Sequence, residues 1–188
     1  VSFSEITQLP FFRYRVGSFN IARAHQLVLK YLIPKPEVIS MVNQIINQQL
    51  GDNYLAVHAR GTDKKREARE VEPGKFREAI FSYISQLNQK PSAIFLATDD
   101  QRFVDCFGDS IAGVPLQSQA GVRRSTNGQP IHLSPKLLSS EQRYSLGLYA
   151  LVDTLLLSRA SFLIRSSSFL SGWASIFNPA LPILRLNT

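Results

Sequence analysis

With 188 residues, 44% hydrophobic and 19% charged, the chain can bury a proper core as one domain, and its composition excludes a disordered polymer. Its one cysteine, Cys106, excludes a disulfide framework and favours a reducing compartment, so a cytoplasmic location is expected. The net charge of +7 is scattered, with small clusters at Lys64-Lys65-Arg66 and Arg123-Arg124 and no basic stripe with interleaved aromatics, so nucleic-acid binding is not expected.

No apolar run approaches the roughly twenty residues of a transmembrane helix. The start, Val1-Ser-Phe-Ser-Glu5, has no signal-like core and no initiator methionine, which fits a processed or excised piece. Residues 1–19 lack periodicity and read as an irregular lead-in. From 20 to 32, Ile21, Ala24, Val28, Tyr31 and Leu32 recur at helical spacing. Pro34 and Pro36 stop that helix and open the next, whose stripe is Val38, Met41, Val42, Ile45 and Ile46, with Gly51 as its C-cap.

Residues 53–60 then read as a strand, followed by a charged loop over 63–72. Pro73-Gly74 opens a helix carrying Phe76, Ala79, Ile80, Tyr83, Ile84 and Leu87, and Pro91 follows its end. The apolar run 93–97 reads as a buried parallel strand. Thr98-Asp99-Asp100-Gln101 satisfies a capping box, with Thr98 as cap of a short helix to Phe107. Residues 114–116 make a weaker strand. Residues 117–140 are polar and aperiodic, a length that is usually functional or mobile inside a compact domain. A strong helix over 141–160, a buried strand over 162–164, a helix over 169–177 and a last strand over 182–186 complete the chain. This alternation predicts an α/β fold: a Rossmann-like parallel sheet with right-handed crossovers and helices on both faces.

In such sheets ligands bind at the carboxyl ends of the strands. Three strands here end in polar clusters: His58/Arg60/Asp63, Thr98/Asp99/Asp100 and Ser166/Ser167/Ser168. His58 and Arg60 are two apart and share a face, roughly 6–7 Å from each other. Arg60 fits either a bidentate grip on a phosphate or a structural bridge to Asp63, Asp99 or Asp100. His58 fits a site or a satisfied buried histidine. The serine run fits an anion site or plain N-capping by Ser167 or Ser168.

Asp153 interrupts the apolar stretch 151–157, and a buried carboxylate needs a partner. Nucleoside N–H groups, a ribose hydroxyl or Arg159 would each serve. The Asp99–Asp100 pair has no evident third ligand, so no metal is expected. Absence of Gly-x-Gly-x-x-Gly and of a Gly-Lys-Ser/Thr loop argues against dinucleotide dehydrogenases and P-loop NTPases. Cys106, His25, His58 and His132 form no nucleophilic triad.

Three segments carry a resemblance. Val57-His-Ala-Arg-Gly-Thr-Asp-Lys64, Leu96-Ala-Thr-Asp-Asp100 and Asp153-Thr-Leu-Leu-Leu-Ser-Arg-Ala-Ser-Phe-Leu-Ile-Arg-Ser-Ser-Ser-Phe169 resemble the shared motifs of a GDP-fucose-dependent fucosyltransferase superfamily. That superfamily groups α1,6- and nodulation-type, protein O- and α1,2-fucosyltransferases. Lys30-Tyr-Leu-Ile-Pro-Lys-Pro36 resembles the segment leading into the first motif of the α1,6 type. The likeness covers roughly residues 20–178.

It implies the second, donor-binding half of a two-domain GT-B glycosyltransferase. Residues 1–52 would be a helical lead-in from a missing or truncated first domain, and 53–188 a Rossmann-like GDP-sugar-binding domain. It also implies inverting transfer of fucose from GDP-fucose to a glycan or protein acceptor, with no metal or other cofactor. By motif, Arg60 corresponds to the arginine on the β-phosphate, and His58 and Asp153 to guanosine contacts. Asp100 with Asp99 corresponds to part of the base or ribose pocket, and Ser167, Ser168 and Phe169 to contacts at the helix start. The α1,6 enzymes have a second arginine directly after the first, where this chain has Gly61, so no linkage follows. The alternative is a non-catalytic or incomplete GDP-binding module that needs another domain.

Overall fold

The computed structural model describes residues 20–61, 70–126 and 138–187. Strands β1 (Leu55–Ala59), β2 (Ile94–Thr98), β3 (Ser110–Ile111), β4 (Val114–Gln117), β5 (Phe162–Arg165) and β6 (Ile183–Arg185) form one sheet in the order β3-β4-β2-β1-β5-β6. β1 and β2 are buried at all five positions. That is why both appear as continuous apolar runs: a strand covered on two faces has no polar side to alternate with. From β4 to β6 every pairing is parallel, as expected. The short β3 adds an antiparallel edge to β4. Its turn puts Ala112 and Gly113 at φ 53° and 78°, the positive angles a tight hairpin uses.

Helices α1 (Ile21–Tyr31), α2 (Pro36–Ile45), α3 (Pro73–Ser85), α4 (Gln101–Phe107), α5 (Ser140–Arg159) and α6 (Phe169–Phe177) surround the sheet. α2 runs on through one π-helical turn, Ile46–Leu50, and stops at Gly51 with φ 72°, the C-cap read from the sequence. Residues of β1 alternate between faces. Leu55, Val57 and Ala59 pack with Phe76 and Ile80 of α3 and with Phe103 and Phe107 of α4. Tyr54 and Ala56 pack with α2, α5 and α6 through Val42, Val152, Leu156 and Ala174. His58 continues that second row, so it emerges under α5 and α6. His25 donates from Nδ1 to the Ile176 carbonyl at 2.7 Å, provided that nitrogen carries the proton, and ties α1 to α6.

One helix start differs from expectation. Asp100, not Thr98, caps α4, and its Oδ1 accepts from Arg102 N at 2.9 Å. The reason is tertiary: Ser125 bridges to Asp100, with Ser125 N bonding Asp99 O at 2.8 Å and Gln101 N bonding Ser125 O at 3.0 Å. This pairing keeps the chain extended two residues past Thr98. No helix among the described residues is long and apolar enough to cross a membrane.

Strands 2 and 4 lie on one side of β1, and strands 5 and 6 on the other. The winding therefore reverses between β1 and β5, and a crevice opens there at the carboxyl ends of the strands.

Candidate functional site

Arg60 is the first residue past β1. Its main-chain N–H donates to Ser166 Oγ at 3.2 Å across the switch point. Its Nε lies 3.8 Å from Asp99 Oδ2, with the two side chains 26% and 28% exposed. That is an ion pair rather than a hydrogen bond, so the bridge read from the sequence does exist, with Asp99 as the partner. Asp99 Oδ1 also accepts from Gly61 N at 3.1 Å, which fastens the end of β1 to the end of β2. Asp63 lies outside the described residues.

Asp100 faces the other way. It is 1% exposed. Arg102 donates to its carboxylate from Nε at 3.2 and 3.0 Å and from Nη2 at 2.6 Å, and reaches Glu70 Oε1 at 2.9 Å. Asp100 thus stands behind the cleft while Asp99 forms its wall.

Asp153 projects from α5 and is 7% exposed. Burial pushes its carboxyl up to about 7, against the downward pull of a Gln119 hydrogen bond and the Arg124 charge. Gln119 Nε2 supplies that bond to Oδ1 at 2.8 Å. Arg159, the protein partner considered from sequence, instead donates to Asn43 Oδ1 at 2.6 Å.

The serine run divides its work. Ser166 Oγ receives the Arg60 amide, Ser167 N donates to Asn187 Oδ1 at 2.7 Å, and Ser168 caps α6 by accepting from Leu170 N at 3.3 Å. Ser167 Oγ is buried without a hydrogen-bond partner, an uncommon state for a polar atom. Phe169 opens α6 and is 43% exposed. Arg165 sits beside His58 in register; burial, and then the neighbouring Arg185, lower its pKa.

At the carboxyl ends of β1 and β2, under α5, a cleft of about 130 Å³ has a wall that brings together His58, Arg60, Asp99 and Asp153, with Thr98, Arg123, Tyr149 and Leu170. Asp100, Ser167, Ser168 and Phe169 are not on that wall. The volume is below the roughly 300 Å³ that encloses a whole small molecule. Leu170 and Ala150 also border a larger apolar hollow of about 530 Å³ under Tyr31, Ile33 and Trp173. Val122 and Arg123 on the wall, and Gln119 behind Asp153, come from the aperiodic segment after β4. The Arg123-Arg124 pair marked that segment in the sequence, but nothing marked Gln119.

No family model and no curated protein sequence matches the chain. Solved structures do match its fold. A NodZ α-1,6-fucosyltransferase co-crystallised with GDP superposes with a TM-score of 0.58 at 18% identity, over 82% of this chain and 46% of that one. The NodZ fucosyltransferase from Bradyrhizobium gives 0.59 at 18% identity, over 86% and 48%. POFUT1 in complex with GDP gives 0.57 at 12% identity, over 84% and 48%. The chain has the Rossmann-like α/β fold of one half of these fucosyltransferase structures. It spans about half their length.

Proposed function

We propose that this chain is the donor-binding half of a glycosyltransferase that moves fucose from GDP-fucose to a glycan or protein acceptor with inversion. The observation that carries this reading is the convergence of His58, Arg60, Asp99 and Asp153 in one cleft at the carboxyl ends of β1 and β2. Their fold is shared with enzymes crystallised with GDP and soaked with GDP-fucose.

In this reading Asp153 accepts N–H donors from the nucleobase, and His58 stands beside the nucleoside. Ser168 and the first N–H groups of α6 approach the diphosphate, where a helix N-terminus favours an anion. The acceptor hydroxyl attacks the anomeric carbon from the face opposite the nucleotide and gives up its proton to solvent. The bond from that carbon to the β-phosphate oxygen breaks, and GDP leaves with the electron pair. Arg60 meets the charge that grows on that oxygen, a contribution strongest in the transition state. Calorimetric titration with GDP, UDP and ADP tests the base assignment, and release of fucose from GDP-fucose tests the chemistry. Selective GDP binding with fucose release supports the reading; equal binding of all three nucleotides overturns it.

A second reading is a GDP-binding module without turnover of its own. The small cleft favours it. Selective GDP binding with no fucose release, even across an acceptor array, would identify it.

A further inference from the structure

Gln119 links the edge of the sheet to the floor of the cleft. It follows β4, is 7% exposed, and donates from Nε2 to two groups on α5. One is the Tyr149 carbonyl at 3.2 Å and the other is Asp153 Oδ1 at 2.8 Å. A side-chain amide nitrogen has two hydrogens, and both are used. The acceptors lie one helical turn apart, so the amide is fixed at two points. Among the described residues no other hydrogen bond reaches the Asp153 carboxylate, and Asp153 borders the cleft.

We infer that Gln119 is a positioning residue: by holding Oδ1 it turns Oδ2 of Asp153 towards the cleft, where it meets the N–H donors of a nucleobase edge. This rests on the donor-site reading above and adds the residue that aims the recognition group. The backbone supports the aim from behind. Gly121 has φ 77°, and a Cβ there would lie 3.0 Å from Tyr149 Oη, so the segment carrying Gln119 runs hard against α5.

The arrangement makes ligand binding sensitive to protons. A carboxylate accepts from N–H donors in its ionised form, and burial pushes the Asp153 carboxyl up to about 7. The titratable and charged groups facing it are His58 of β1 and Arg60 just past it, Asp99 from the end of β2, and Arg123 and Arg124 from the segment after β4; α5 itself adds Tyr149. Affinity for GDP therefore rises as pH increases through 7, and binding below that pH releases a proton. Loss of the Gln119 bond removes a contribution that lowers the Asp153 pKa, so the midpoint of that rise moves to higher pH.

The experiment is calorimetric titration of the wild-type chain, Gln119→Met and Gln119→Glu with GDP between pH 6 and 8.5, in two buffers of different ionisation enthalpy to count protons. At pH 7 Gln119→Met is expected to weaken GDP binding about tenfold; the part of the loss that comes from protonation fades towards pH 8.5, and the part that comes from lost aim remains. Gln119→Glu keeps the size and shares a proton with Asp153, so it retains the fold while moving the midpoint further up. A loss of equal factor at every pH, or no loss, overturns the positioning role. A wild-type chain that binds no GDP at any pH overturns the donor-site reading and this inference with it.

Discussion

Gly61 and Asp100 are in a contact that admits no side chain at position 61. A Cβ built on Gly61 would lie 2.1 Å from Asp100 Oδ2 and 2.8 Å from its Cβ and Cγ. The glycine is required here by close approach. The carboxylate of the buried Asp100 fills the space that a side chain at position 61 would take. Gly61 N in turn bonds Asp99 Oδ1, so the backbone step after Arg60 is held from both members of the Asp pair.

Gly61→Ala is therefore expected to destabilise the chain by about 1–3 kcal/mol, the range for forcing extra atoms into a packed site. Gly74→Ala is the control. It lies in the first turn of α3 with nothing within 4 Å of a built Cβ, and is expected to stabilise by about 0.5–1 kcal/mol. Urea unfolding of both variants checks the pair. Equal and small effects would show that Asp100 moves aside freely.

Asp100 stays where it is because Arg102 holds it. Removing Arg102 leaves a carboxylate that is 1% exposed without its cation. Arg102→Ala is expected to lose about 2–3 kcal/mol, the lower end for such a break because Arg102 is itself half-exposed. The double variant Asp100→Ala/Arg102→Ala removes the stranded charge along with its partner and should be more stable than Arg102→Ala alone. A double-mutant cycle measured by denaturation decides it, and strict additivity would count against the pair acting as a unit.

These two aspartates also mark where the sequence stops being informative. β1 and β2 were legible because burial on both faces leaves unbroken apolar runs, and the helices because their stripes repeat at helical spacing. Asp153 was legible because a carboxylate inside an apolar stretch demands a partner. Which of Asp99 and Asp100 faces the cleft was not legible, since neighbours on an extended chain point opposite ways. The choice was made by Ser125, some twenty-five positions away, which pairs with Asp100 and displaces the cap from Thr98. β3 has two residues, too few to show a period. Gln119 acts through a tertiary hydrogen bond that no local pattern encodes.

Asp153 should make stability fall as pH rises. Burial pushes its folded pKa up to about 7 from the ordinary 3.8, so the fold favours the neutral form. Below pH 4 both states are protonated and there is no penalty. Between about 4 and 7 the unfolded chain ionises while the folded one does not, and above 7 the penalty is constant. Asp153→Asn keeps an oxygen for Gln119 and removes the ionisation. Its gain over wild type should grow from pH 4 to 7 and then level off, with a ceiling of about 4 kcal/mol for roughly three pKa units. The same variant should bind GDP more weakly at pH 8, because the amide places hydrogens where the base donates its own. Thermal unfolding across pH and GDP titration read the two effects, and a variant that gains both, or loses both, would contradict the role given to Asp153.

Arg60 offers the sharpest separation of binding from chemistry. If the donor-site reading holds, the diphosphate charge is already present in free GDP-fucose, and Arg60 would contribute a charge-assisted bond to binding, worth about 1.5–3 kcal/mol or one to two orders of magnitude in affinity. As the sugar leaves, further charge collects on the β-phosphate oxygen, and the same guanidinium then does more. Arg60→Ala should lower the fucose-release rate by a further 10²- to 10³-fold or so at saturating donor. Arg60→Lys keeps the charge but loses the two-pronged donor, so it should fall between the two, with affinity recovered more than rate. Because this reading assigns the leaving-group charge to an arginine, EDTA should leave the wild-type rate unchanged. Single-turnover rates and GDP affinities, measured on the same preparations, test this division. A loss confined to affinity would make Arg60 a holder of the donor and would place the stabilisation of the leaving group on another residue of the cleft.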